Sequence, residues 1–268
     1  MHRRDFVCSA LGATLMAAAG RSGAGASEQT GSKPAPEFYL WRQYILRGGT
    51  QSRRLAEFLQ AAIPALNRLG HSPLGVFEVV AGLPSPTVFV LTPSSSLDHM
   101  LAIEADLQKD AEFMKAADPY LQATAADPVY LRQESTLLSA FPNVPRIEVP
   151  AATAAKKPRL FELRTYESHN ERAHRLKMQM FTEMGETEIF RRVGLTPVFF
   201  GRTLVGPRMP SFTYMLVHDN MPARDKSWDG FRTDPDWKKL SATPGYADAD
   251  IVSNITTVFL RPAGYSQI

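Results

Sequence analysis

Arg42, Tyr44, Arg164 and Tyr166 are the residues whose types and spacing first suggest chemistry in this chain of 268 residues. Each arginine stands two positions before a tyrosine, so on a strand both side chains share one face. A guanidinium beside a phenol is equipped to clamp an anion or a carbonyl. Equally, it can supply hydrogen bonds that fix how two domains pair, and we favour that structural reading. His71, His99, His169, His174 and His218 are the histidines beyond the N-terminal segment. His169 and His174 are five apart, about 140° around a helix axis, so they cannot chelate as an i, i+4 pair. His218 closes an expected strand and precedes Asp219. A neutral imidazole there suits a general base or a haem ligand, although a loop-capping role is the simpler reading. Glu183, Glu186 and Glu188 fall within one expected helix and read as solvated carboxylates. Asp248-Ala-Asp250 lacks the remaining ligands and the glycine of a calcium loop, and no metal site is expected. The sequence has no Gly-x-Ser-x-Gly elbow, phosphate loop or dinucleotide-binding glycine motif.

The elements that must position these residues are written twice. Tyr39-Leu-Trp-Arg-Gln-Tyr44 and Phe161-Glu-Leu-Arg-Thr-Tyr166 align at an offset of 122, which pairs Arg42 with Arg164 and Tyr44 with Tyr166. Gly70 and Gly194, Pro73 and Pro197, Gly82 and Gly206, and Pro86 and Pro210 align at 124, as do Asp110 and Asp234, and Lys115 and Lys239. Glycine and proline recur because each marks a turn the backbone must make. A two-residue insertion in the first helix accounts for the change of offset. Phe113 aligns with Trp237, so Trp237 reads as a core aromatic rather than a substrate platform. Features kept by both copies serve the fold or the interface first. Arg202, on a strand of the second copy, completes the set of cleft or interface candidates with Arg42, Tyr44, Arg164, Tyr166, His218 and Trp237.

Within each copy the hydrophobic period switches in the order β-α-β-β-α-β, the ferredoxin-like plait. The first copy reads as strand 38–46, helix 52–69, strands 74–81 and 87–91, helix 97–117 and strand 130–140. Pro64 is expected to kink or shorten its first helix. The second reads as strand 161–167, helix 170–192 ending at Gly194, strands 197–205 and 212–217, helix 222–240 and strand 251–260. These patterns give a domain at 37–141, a Pro- and Ala-rich linker at 142–158, a second domain at 159–262 and a tail at 263–268. One plait leaves a sheet face bare, so the two copies are expected to cover each other as an intramolecular pseudo-dimer, with higher oligomers open.

The N-terminus reads as an address. Arg3-Arg4 precedes a short apolar stretch, and Ala24-Gly25-Ala26 offers small residues for cleavage after Ala26, as in a twin-arginine signal peptide. Residues 27–36 then form a linker. The expected destination is the periplasm, or another compartment reached by the same route. Cleavage would remove Cys8, the single cysteine, and with it disulfides, thiolate catalysis and cysteine-based zinc sites. It would also remove Arg3, Arg4 and Arg21 against Asp5, taking the formal charge from +3 to +1. A chain so nearly neutral has no electrostatic footprint for nucleic acid. Nothing after residue 26 reads as a transmembrane helix.

Phe161-Glu-Leu-Arg-Thr-Tyr166 resembles the opening strand of NIPSNAP domains, and Asp234-Pro-Asp-Trp237 resembles their acidic-plus-Trp signature. The likeness covers residues 159–262 well and 37–141 loosely, since the first copy has Leu40-Trp41 and Asp110-Ala-Glu-Phe113 at these places. The resemblance implies a dimeric α/β barrel and brings no catalytic residue with it. Three functions follow as expectations. The favoured one is a small-molecule-binding or interaction module without a cofactor, because no acid–base constellation is visible. Fold analogy adds a cofactor-free oxygenase or isomerase, and a haem-handling barrel with His218 or His174 as axial ligand.

Overall fold

A computed structural model describes residues 34–81, 84 and 86–268. The expected export signal, with Arg3, Arg4 and cleavage after Ala26, therefore lies outside the described residues. The first half runs β1 (Phe38–Ile45), α1 (Thr50–Arg68), β2 (Gly75–Ala81), β3 (Thr87–Ser94), α2 (Leu97–Leu107), α3 (Ala111–Leu121) and β4 (Arg132–Ala140). The second runs β5 (Leu160–Glu167), α4 (Glu171–Thr182), α5 (Glu186–Arg192), β6 (Thr196–Val205), β7 (Ser211–His218), α6 (Met221–Thr233), α7 (Pro235–Ser241), α8 (Asp248–Ile251) and β8 (Asn254–Pro262). Each half is a ferredoxin-like plait with its central strand, β1 or β5, bonded on both sides.

The two sheets join into one closed barrel, β1-β3-β2-β8-β5-β7-β6-β4. All its pairings are antiparallel. The seams between halves are β2–β8 and β4–β6, so each half lends an edge to the other and the barrel has no open edge. Helices cover the outside. Alternate side chains turn inward, and Trp41, Phe77, Phe89, Phe161, Phe199 and Met215 share a buried cluster in the lumen. The opposite faces build a separate core for each half beneath its own helices. The expected pseudo-dimer is thus present within one chain.

Several boundaries differ from expectation for identifiable reasons. Each long helix expected near a strand hairpin is two helices. Asp110 breaks the first and caps α3, its carboxylate accepting from the Phe113 amide. Asp234 does the same for α7, accepting from the Asp236 and Trp237 amides. Gly185, with φ 89°, separates α4 from α5 in a left-handed turn that favours glycine. Pro64 does not shorten α1, which continues to Arg68. The last strand begins at Asn254 rather than Ile251, which lies in the short α8.

Two stretches expected to be spacers are built into the fold. Phe141, just before the linker, is 1% exposed and stacks on Phe200. Val144 joins the same second-half core. The tail docks as well: the Gln267 amide donates to Leu74 O, and the Ile268 carbonyl accepts from Arg159 at 2.7 Å. No helix among the described residues is long and apolar enough to cross a membrane.

Candidate functional site

Alternation along the strands decides which candidates face which compartment. Arg42 and Tyr44 of β1, and Arg164 and Tyr166 of β5, lie on the helix-covered faces, whereas Trp41, Gln43, Leu163 and Thr165 face the lumen. The arginines therefore meet their own helices and do not bond across the two halves, contrary to the interface reading.

In the second half Glu162, on the face of Arg164, is the centre of a buried polar cluster. Its side chain is 0% exposed. Arg164 Nη1 donates to Oε1 at 3.0 Å, Arg224 to both oxygens at 2.9 and 3.0 Å, and Trp228 Nε1 to Oε2 at 2.8 Å. His218 Nε2 lies 3.2 Å from Oε2. Burial alone would raise this carboxyl, but His218, Arg224, Trp228 and Arg164 together hold it well below the usual carboxylate range. Arg164 also donates to the Tyr166 hydroxyl at 3.2 Å, and its guanidinium lies 4.7 Å from the Trp228 ring. The expected strand-end histidine is thus a buried member of an ion cluster.

Beside it lies a second buried group, which the sequence reading placed in solvent. Glu186 is buried, and it pairs with Lys177 Nζ at 3.2 Å. Lys177 is itself 0% exposed, reaches Asp248 at 2.9 Å and lies among the rings of Tyr166, Phe181 and Trp237. Burial raises the Glu186 carboxyl against the pull of Lys177, to about 7. His174 is buried, and that burial, with Arg202 and Arg175 nearby, lowers it to about 4. Arg202 itself is exposed. Trp237 packs 4.4 Å from Phe231 at the border of the core, as a core aromatic would.

The first half has a different interior. Leu40 stands where the second half has Glu162, and Arg42 and Tyr44 border a cavity of about 40 Å³ between the sheet and α1 and α2. The Tyr44 ring meets Tyr130 edge-on at 5.7 Å. A space of about 270 Å³ lies at the open end of the barrel lumen. Trp41, Phe89, Leu163 and Val258 form its floor. Hydroxyls of Thr165, Thr203, Ser211, Thr213 and Thr256 line the wall, and two pairs of them bond each other at 2.9 Å. Strand alternation was enough to find these residues, since each lies two or four positions from an inward aromatic or aliphatic residue.

One shared feature was also within reach of the sequence. Arg68 and Arg192 stand 124 apart and pair with Asp110 and Asp234 respectively, the second contact at 2.9 Å. The acidic signature is therefore a helix cap tied to the last residue of α1 in the first half and of α5 in the second.

A closed eight-stranded barrel of two plaits defines the class: a dimeric α/β barrel, here made from one chain. Its second half matches the NIPSNAP family model over residues 161–267. Two solved structures share the whole arrangement. A provisionally assigned monooxygenase from Lactobacillus acidophilus NCFM is 10% identical, with 85% of this chain and 94% of that one covered at a TM-score of 0.56. Another from Fusobacterium nucleatum subsp. nucleatum is 10% identical, with 85% and 93% covered at 0.50. At this identity the likeness is one of fold. A NIPSNAP family protein from Agrobacterium tumefaciens str. C58 aligns with 40% of the chain at 15% identity, over 96% of its own length, with a TM-score of 0.35. No curated protein matches the chain.

Proposed function

We propose that this chain is an exported binding protein for a small, polar but uncharged organic molecule held in the open end of the barrel lumen. The lumen cavity supports this: about 270 Å³ with hydroxyls around an aromatic and aliphatic floor. Such a site recognises a compact ligand by one apolar face and several hydrogen bonds. The ionisable side chains among its described lining are Glu134 and Arg208, both exposed. The wall offers donors and acceptors, without the buried base that proton abstraction needs. Recognition is therefore favoured over catalysis, and this reading calls on no cofactor.

Trp41 lies in the floor, so ligand entry is reported by tryptophan fluorescence. Titration with compact cyclic polyols and lactones should give a saturable change that Thr165→Val with Thr213→Val abolishes. Native mass spectrometry of the protein purified from the periplasm should show a retained small molecule. Absence of both a retained mass and any saturable change would sink the proposal.

A further inference from the structure

The two halves carry the same arginine in opposite electrostatic circumstances. Arg164 has an internal counter-ion, Glu162, and donates its terminal nitrogens to that carboxylate and to Tyr166. At the corresponding place before Arg42 the chain has Leu40. Among the described residues Arg42 forms no ion pair; its side-chain partner is the Tyr44 hydroxyl, and its Nε is shielded from solvent without a partner. The Nε of Arg164 is unpaired too, and each arginine meets the tyrosine two positions on, so the difference lies in the missing carboxylate.

Arg42 also borders a space, whereas Arg164 has Glu162, Tyr166 and the Trp228 ring around it. The first-half cavity leaves about 40 Å³ for the centres of water-sized spheres, room for more than one water. Its remaining walls include Leu40, Leu59, Ile63, Val76, Val90 and Ile103. Such a lining offers water few partners. A guanidinium at the edge of an apolar cavity is costly unless an anion neutralises it, and its planar fork matches a carboxylate. Arg42 is half-buried, so its end of the cleft reaches solvent. The Tyr44 hydroxyl shares that end: burial raises it above the ordinary phenol range, with Arg42 pulling it down.

We propose that the first-half cleft binds a compact apolar monocarboxylic acid, its carboxylate on Arg42 and its hydrocarbon part among the walls beneath α1 and α2. The ligand's carboxylate takes the role that Glu162 plays in the second half. One guanidinium calls for one negative charge, and the apolar walls exclude a second polar group at the far end. This site is separate from the lumen, and neither reading depends on the other.

The test uses acetate and propionate with the mature chain, and acetamide and propionamide as neutral counterparts. Calorimetry should show saturable binding of at least one acid and of neither amide. Leu40→Glu supplies the missing carboxylate from within, and should weaken acid binding by about tenfold or more while leaving the melting temperature unchanged or higher. Arg42→Met should weaken it to the same degree, and provides the reading if the glutamate variant fails to fold. Lumen variants Thr165→Val and Thr213→Val should leave acid binding intact. The proposal is overturned if no acid binds, if acid and amide bind equally, or if the folded Arg42 or Leu40 variant keeps wild-type affinity.

Discussion

Glu162 sets the balance of charge at the residue scale, because four side chains converge on one carboxylate that has no water to turn to. Removing its charge by Glu162→Gln strands Arg164 and Arg224, and should cost about 3–5 kcal/mol, the range for breaking one side of a buried pair. The sign of the pH dependence follows from the lowered carboxyl. Its contribution is complete above the unfolded value of 4.5 and is lost as pH falls below that toward the folded value. Melting temperatures of wild type and variant should therefore converge as pH is lowered from 5 to 3. A gap that stays constant over that range would refute this account. Lys177 and Glu186 make a second test. Lys177→Met leaves a raised carboxyl buried alone and should destabilise by about 3–5 kcal/mol, whereas Lys177→Met with Glu186→Gln should recover part of that loss. Equal stabilities of the single and double variants would show that the pair is not coupled.

Among the elements, the seams between halves should be the most sensitive to volume. A Cβ on Gly201 of β6 would sit 2.9 Å from the Leu138 Cβ on β4, closer than side chains tolerate. Gly201→Val should cost about 1–3 kcal/mol by overpacking, read as a lower midpoint in urea. Its absence would mean that the seam flexes. The paired caps give a symmetric test: Asp110→Ala and Asp234→Ala should each cost about 0.5–2 kcal/mol. The hairpins, plaits and pairing of halves were legible, because turn residues repeat at one offset and strand alternation is strict. The helix breaks were not, and that hid the buried ion pair. On one unbroken helix Lys177 and Glu186, nine apart, would point about 180° from each other. The turn at Gly185 redirects α5 and brings them within 3.2 Å. Glu162 was visible beside Arg164, but its partners Trp228 and Arg224 arrive from a helix more than sixty positions away.

For the whole molecule, barrel closure within one chain predicts that sedimentation and small-angle scattering report a folded monomer. A stable dimer joined through the sheet of residues 159–262 would contradict the closed β2–β8 and β4–β6 seams. Export is a separate expectation carried by Arg3 and Arg4: replacing both with lysine should keep the mature chain out of the periplasm, and its continued appearance there would rule out the twin-arginine route. Covalent closure also has a consequence for how such a barrel changes over generations. In a homodimer every substitution is inherited by both clefts at once, so a gain in one is bound to its cost in the other. Here a single codon alters one cleft and spares its twin. Leu40 and Glu162 show what that freedom permits: one half keeps an internal counter-ion, while the other is at liberty to give it up.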